Sequence, residues 1–217
     1  MADIGSDHAL LPLWLLENGK TDSAIAGELG DGPFLRAKEA GLVHGQKKNF
    51  SVRQGDGLQV LLPAEVETVV IAGMGGDLIA EILGYSLEKS RSFARYILQP
   101  MKHEAVLRKW LTEQGWRIRK ERLILENEKY YAAMEVFPGK NAEKLSDLEV
   151  LLGPCLLQSK EENVQVWLRR MQQKYERIAQ SVANSHTASE EEKGRWRMRA
   201  AALRDILEQK RTEKAGV

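Results

Sequence analysis

The 217-residue chain has a single cysteine, Cys155, so no internal disulfide can form. That fits a reducing compartment, and the thiol reads as a small buried side chain. No apolar run reaches the roughly 18 residues that a membrane-spanning helix needs, and no membrane partner is expected. The opening stretch, MADIGSDHALLP, lacks the basic start of a secretory signal. These absences predict a cytoplasmic protein. There is no HExxH helix and no paired-cysteine spacing, so no metal site is expected. No nucleophilic serine or cysteine motif is present either. Net charge is almost absent, at +1.

What is present is an ordinary globular balance, 43% hydrophobic and 29% charged. The length suits one α/β domain and an appendage. The charge is unevenly placed: residues 151–217 hold 13 basic and 9 acidic side chains, against 19 and 22 in residues 1–150. An acidic body argues against a phosphate-rich cofactor there. A basic tail permits a polyanionic partner without proving one.

Along the chain, apolar and helical patterns alternate. Strands are expected at 1–4, Ser23–Gly27, Asn49–Arg53, Thr68–Ala72 and Tyr96–Leu98. Helices are expected at 7–18, Asp31–Val43, Gly75–Leu83 and Glu104–Thr112, with Asp31 as a cap and Pro33 in the first turn. The β-branched run TVVIA predicts a strand covered on both faces. After Gly115 two strand-like runs, Trp116–Leu125 and Tyr130–Phe137, read as an antiparallel hairpin. The expectation is an α/β, Rossmann-like, doubly wound, mostly parallel sheet with an antiparallel edge. It would occupy residues 1–147. Residues 148–217 are expected to form a C-terminal α-helical hairpin, coiled-coil-like, from about Ser159 to Val182 and Ser189 to Lys210. Its stripe of Val164, Trp167, Leu168, Met171 and Tyr175 reads as a packing seam.

The chemistry lies in glycines and carboxylates at predicted strand ends. The first set is DIGSDHALLP, with Asp3, Gly5, Ser6, Asp7 and His8. A glycine turn after the first strand lets a ligand approach the backbone. A dinucleotide fingerprint would need glycine where Asp7 stands. A carboxylate there repels pyrophosphate and suits a cation, such as the sulfonium and ammonium of S-adenosylmethionine. Glu28 ends the second strand, where an acidic residue can bind a ribose diol. In GDGL, Asp56 can accept from an adenine amino group beside Gly55 and Gly57. In IAGMGG, three glycines at a strand end imply close backbone approach, and Met74 could pack on an adenine face. Taken singly, each feature reads more simply as a turn or a solvated side chain, and His8 as a partner of a nearby carboxylate. Four in order, each after a strand, point to a nucleoside-cofactor site on the carboxyl rim of the sheet.

The segments ADIGSDHALLP, AIAGELGDGPFLRAKEAG, SVRQGDGLQVL, IAGMGGDLIAEIL and ILQP with its LRKWL helix closely resemble the bacterial tRNA (adenine-22)-N1-methyltransferases. The resemblance spans nearly the whole chain. It implies methyl transfer from S-adenosylmethionine to N1 of an adenine in tRNA. It implies cofactor contacts from Asp3, Gly5, Ser6, His8, Gly27, Glu28, Asp56, Gly57, Gly73 and Met74. Asp7 and Gln99 become the candidate catalytic residues, Asp7 by orienting the base, stabilising product charge or holding the cofactor's ammonium. The chain departs from the family at Leu10, where a tyrosine is usual, and at Met101, where an asparagine is usual. The family also has residues before the first strand, so the chain looks truncated or started at an internal methionine. A monomer is expected. The rival readings are a nicotinamide-dependent oxidoreductase, or a non-catalytic RNA-binding protein on a degenerate methyltransferase domain. The missing second glycine opposes the first rival. The intact glycines and Glu28 oppose the second, which Met101 mildly favours. The tail's Arg169, Arg170, Lys174 and Arg177, with Lys193, Arg195, Arg197, Arg199 and Arg204, could grip tRNA phosphates.

Overall fold

The computed structural model describes residues 1–45 and 49–215. They form two compact units, Met1–Lys144 and Leu145–Val217. In the first, the strands are β1 (Ala2–Ile4), β2 (Ala24–Glu28), β3 (Phe50–Gln54), β4 (Thr68–Gly75), β5 (Arg95–Lys102), β6 (Arg117–Glu126) and β7 (Lys129–Phe137). The helices are α1 (Leu10–Glu17), α2 (Asp31–Val43), α3 (Gly76–Gly84), α4 (Leu87–Arg91) and α5 (Glu104–Glu113). The sheet order is β3-β2-β1-β4-β5-β7-β6. Strands β1 to β5 pair in parallel, and β7 is antiparallel to both neighbours. The predicted mostly parallel Rossmann-like sheet with an antiparallel edge is therefore present.

Local chemistry explains the one reversal. Asn127 and Glu128 both have positive φ, 47° and 64°, and join the facing pair Glu126 and Lys129. A two-residue turn of this hand folds a strand straight back on itself. The earlier strands are joined through helices, which permit parallel pairing.

Burial follows from this order. All five residues of β2 are buried, as are Val69, Val70 and Ile71 of β4. Strands covered on both faces lose alternation and read as continuous apolar runs. Leu13 of α1 and Ala37 of α2 pack with Ala26, Phe50 and Val52. Ile79 and Leu83 of α3 and Leu107 and Leu111 of α5 are fully buried. Each such side chain contributes about 1.5–3 kcal/mol. Arg108 of α5 and Glu121 of β6 form a buried ion pair at 2.8 Å.

Three local expectations need correction. Helix α1 begins at Leu10 rather than 7, because left-handed residues continue to Ala9 (φ 54°). Asp31 does not cap α2: Gly30 holds that position, with no side-chain bond. Asp31 instead stands in the first turn, where its charge suits the helix dipole, and accepts from Gln54 Nε2 at 2.6 Å. The short α4 and a 3₁₀ turn at Gly57–Val60 were not anticipated, being too brief to show a period.

The second unit contains α6 (Asp147–Leu152), α7 (Pro154–Gln158), α8 (Glu162–Ala183) and α9 (Glu190–Ala215). A capping box between Ser146 and Glu149 starts α6. Gly153, at φ 95°, and Pro154 separate α6 from α7. Val164, Leu168 and Tyr175 of α8 are buried, as are Ala200 and Leu203 of α9. Tyr175 meets Trp196 edge to face at 5.5 Å. The aromatic stripe is a packing seam.

Candidate active site

Strand order reverses between β1 and β4: the chain leaves β1 toward β2 on one side and β4 lies on the other. In such sheets the crevice outside the carboxyl ends of the diverging strands is the ligand site. Gly5 to Ala9 follow β1, and the Gly73–Gly76 segment ends β4.

Hydrogen bonds stitch this rim together. Gly5 N–H donates to the Gly27 carbonyl at 2.8 Å, and Gly55 N–H to the Glu28 carbonyl at 2.9 Å. Gly73 N–H donates to Gln99 Oε1 at 3.0 Å. Gln99 Nε2 turns back onto the Pro100 carbonyl at 3.1 Å. Gln99 thus ties the ends of β4 and β5.

The backbone after β1 is strained. Gly5, Asp7 and Ala9 have φ of 72°, 53° and 54°. Asp7 therefore adopts the left-handed backbone that a second glycine would adopt without cost. Aspartate tolerates that region better than most residues. Its carboxylate accepts from Arg36 Nη2 at 2.5 Å and Nε at 3.0 Å. That bond holds the Asp7 carboxyl below its usual range, although the side chain is 57% exposed. His8 lies 3.8 Å from Asp7 and is also half exposed.

Burial raises the other two carboxyls. Asp3 is buried and accepts from the Ser6 hydroxyl at 2.6 Å; desolvation pushes its pKa up, and the Ser6 bond partly offsets this. Glu28 is 3% exposed. Desolvation pushes its pKa up, the charges of Asp3 and Asp7 add to that, and the backbone N–H groups of Asp7 and Ser6 oppose it. Its Oε1 is buried with no hydrogen-bond partner. Three carboxylates thus converge on the ends of β1 and β2, an environment suited to a cation and hostile to pyrophosphate.

The remaining candidates differ in what surrounds them. Gly73 has φ 77° and open space where a side chain would stand. A Cβ on Gly5 would lie 2.2 Å from the Met74 methyl, so Met74 rests on the β1 turn. Gly27 is buried, and a Cβ there would meet Val60 and Ile4 within 3.0 Å. Packing alone thus requires glycine at 27, and its rim contribution is the carbonyl. Asp56 is exposed; with Gly57 it borders a cleft of about 570 Å³ that extends to Tyr85 and Lys89. Leu10 and Met101 are both exposed, Leu10 at the start of α1 after the β1 turn and Met101 near the end of β5.

Sequence reasoning missed three rim residues. Arg36 was missed because its partner lies 29 residues away. Asp77 and His103 pair across 26 residues, at 2.9 Å. An acidic residue directly after GMGG was the available signal for Asp77; the fold alone supplies the partner. Among the described residues, no group of three or more His, Cys, Asp or Glu side chains is placed to hold a metal. No helix of the described residues is long and apolar enough to cross a membrane.

This fold, with its glycine-lined rim at the β1/β4 reversal, defines a methyltransferase of the Rossmann-like class. Comparison with known proteins narrows the class. Residues 1–210 match the family model described as TrmK, tRNA (adenine(22)-N(1))-methyltransferase. The chain is 39% identical over 192 residues to the tRNA (adenine(22)-N(1))-methyltransferase of Bacillus subtilis, covering 84% of this chain and 80% of the relative. The crystal structure of the B. subtilis M1A22 tRNA methyltransferase TrmK superposes with a TM-score of 0.81, covering 95% of this chain and 91% of that one at 34% identity. M. capricolum TrmK in complex with S-adenosyl-homocysteine superposes at 0.76, covering 95% and 90% at 25% identity. The chain belongs to the tRNA (adenine(22)-N(1))-methyltransferase family. Its reaction is methyl transfer from S-adenosylmethionine to N1 of adenine 22 in tRNA, as the motif resemblance implies.

Proposed function

We propose that Gly5, Glu28, Asp56 and Gly73 hold S-adenosylmethionine along the carboxyl rim, with Asp7 and Gln99 at the reacting end. One observation carries this assignment: Glu28 Oε1 is buried and lacks a partner. A buried carboxylate oxygen without a donor is costly, and natural structures tolerate it where a ligand completes it. A ribose diol offers two O–H donors to such a group. Asp3, braced by Ser6, supports the turn from beneath, and the Gly27 carbonyl anchors Gly5. His8 adds a polar group beside Asp7. Asp56 accepts from the adenine amino group of the cofactor beside Gly57, and Met74, resting on Gly5, packs on the adenine face.

When bound, S-adenosylmethionine supplies an electrophilic methyl group on a sulfonium. Adenine N1 is neutral and carries an in-plane lone pair, so no proton need be removed before attack. The protein's tasks are to hold the base, align N1 and exclude water. N1 lies on the pairing edge, so the target base must leave its stack. Gln99 keeps the Gly73 amide in place beside the open space above Gly73. Asp7, ionised through its Arg36 bond, stabilises the positive charge carried onto the product base.

The tail supports tRNA phosphates through α8 and α9, with one correction to the arm. Arg199 is 15% exposed and grips Asp147 at 2.6 and 2.7 Å, so it braces the second unit rather than meeting RNA. Arg169, Lys193 and Arg195 are ion-paired with Glu162, Glu190 and Glu191. Lys174 and Arg177 border one groove of α8 with Met171 and Ile178 and are the better phosphate contacts. We read the protein as a cytoplasmic monomer that needs no metal. Incubation with unmodified tRNA and methyl-labelled S-adenosylmethionine, followed by nucleoside mapping, tests the reading. Label as 1-methyladenosine at position 22 is expected. Absence of label, or label in another nucleoside, overturns it.

A further inference from the structure

We propose that Asp77, oriented by His103, accepts a hydrogen bond from the 6-amino group of the target adenine and so selects adenine over other purines. The inference rests on the methyl-transfer reading above and adds a substrate-recognition pair to it.

Four observations converge. First, Asp77 sits against the rim itself: a Cβ on Gly75 would lie 2.6 Å from Asp77 Oδ1 and 3.3 Å from the Lys102 stem. Second, the β4 and β5 ends touch there, since a Cβ on Gly76 would meet the His103 carbonyl at 2.4 Å. The pair therefore stands at the Gly75–Gly76 end of β4, two residues along the chain from the open space at Gly73 through which the base enters in this scheme. Third, His103 is held in the left-handed region, at φ 61°, immediately before α5. A non-glycine residue kept there marks a position specified by its surroundings. Its ring Nδ1–H donates to Asp77 Oδ1 at 2.9 Å, which fixes the carboxylate and leaves its other oxygen directed by that bond. Fourth, the polar groups at the end of β5 are already engaged. Gln99 gives its oxygen to Gly73 and its amide to Pro100, and Met101 offers no hydrogen-bond donor and at most a weak thioether acceptor. Asp77 is an ionisable acceptor at this end of the site, about half exposed like His103.

The chemistry fits one ligand group. A carboxylate accepts and cannot donate, so it matches the N–H of a 6-amino group and repels the O6 of guanine or hypoxanthine. Methylation at N1 makes the product base cationic, and its amino protons become better donors. The bond therefore strengthens along the reaction, which is the condition for raising the rate rather than binding alone. Asp77 is a substrate-contacting residue in this scheme and His103 a positioning residue.

The test is a cycle between enzyme and substrate. Wild type and Asp77→Asn are assayed on tRNA carrying adenine or unsubstituted purine at position 22. The lower intrinsic reactivity of purine cancels in the ratio. The variant should lose about ten- to a hundredfold in kcat/KM on adenine-22 tRNA and no more than a few-fold on purine-22 tRNA. If neither enzyme turns over the purine substrate, its inhibition constant replaces the rate, with the same collapse of the ratio expected. His103→Ala should give part of that collapse and His103→Gln should restore most of it. Equal losses on both tRNAs, or no loss on adenine, overturn the proposal. S-adenosylhomocysteine affinity, by calorimetry, should stay within about twofold of wild type for Asp77→Asn; a large drop also overturns it by moving Asp77 to the cofactor. A wild type that methylates neither tRNA yet binds S-adenosylhomocysteine refutes the methyl-transfer reading, and this inference with it.

Discussion

Replacing Glu28 by glutamine should raise the stability of the ligand-free protein while weakening its hold on the cofactor. The carboxylate is buried, Oε1 has no donor, and Asp3 and Asp7 repel its charge. A neutral amide of the same shape removes that repulsion and can turn its N–H toward either carboxylate. An unsatisfied buried polar group costs about 1–3 kcal/mol, and relief of part of it at pH 7 should lift the midpoint of thermal unfolding by roughly 2–6 °C. The pH dependence gives the sign. Glu28 has a folded-state pKa raised above the ordinary 4.5. Its contribution is fully present below that ordinary value, where it is protonated, and is lost as pH rises through the raised one. The advantage of Glu28→Gln should therefore be largest at neutral pH and vanish below about pH 4.5. Cofactor binding should move the other way. Loss of a charged acceptor for a ribose diol costs about 1.5–3 kcal/mol, or ten- to a hundredfold in S-adenosylhomocysteine affinity. Calorimetry and thermal melts across pH measure both. A variant that binds as tightly as wild type means the ribose lies elsewhere; a stability gain independent of pH means the raised pKa is not its source.

Further outcomes follow from other parts of the molecule. Asp7→Asn and Asp7→Gly both suit the left-handed backbone at position 7, so both should melt within a few degrees of wild type and lose most methyl transfer; wild-type turnover in either removes Asp7 from the reaction. Replacing Lys174 and Arg177 together by glutamine should weaken tRNA binding and reduce the log–log salt slope by about 2; an unchanged slope removes this groove from the RNA surface. Glu65 is held at a pKa of about 2 by the Arg53 fork and the Leu62 N–H. It stabilises the fold above its ordinary 4.5 and loses that contribution as pH falls toward 2, so Glu65→Gln should flatten the acid limb of the stability curve. Acid melts that coincide for the two proteins count against that pair.

The sheet was legible because both of its signals are local. TVVIA announces a strand covered on both faces, and the polar break after Leu125 sits where Asn127 and Glu128 turn the chain. Helix α2 was read at Asp31–Val43 and is found there, although its cap is Gly30. What escaped was whatever depends on two distant segments meeting. Nothing near Asp7 announces Arg36, and nothing near Asp77 announces His103. The basic face of the tail shows the same limit: spacing placed Arg199 on an exposed arm, yet Asp147, 52 residues earlier, claims it. Gly27 is another such case: the family resemblance implied a cofactor contact there, and the neighbours that demand glycine are Val60 and Ile4.

The positions that violate local rules are themselves informative about the site. Six non-glycine residues among those described have positive φ. Asn127 and Glu128 make the hairpin turn, and Ala64 lies in the connection after the 3₁₀ turn. The other three, Asp7, Ala9 and His103, border the carboxyl rim from its two sides. Glu28, whose Oε1 lacks a partner, feels the charges of Asp3 and Asp7 on the first of those sides. Backbone strain of this kind costs about 1–3 kcal/mol at each residue, and an orphaned carboxylate oxygen a comparable amount. A fold only marginally stable overall does not collect such costs in one place unless the surroundings enforce them. On the β1 side they are enforced by the Arg36 bond to Asp7 and the Ser6 bond to Asp3. On the β5 side they are enforced by the Asp77 bond to His103 and the close packing of Gly76. In the scheme proposed above, the first clamp presents carboxylates to a cationic donor and the second offers an acceptor to an amino group. That division of labour is what a reaction between a sulfonium and a neutral adenine requires.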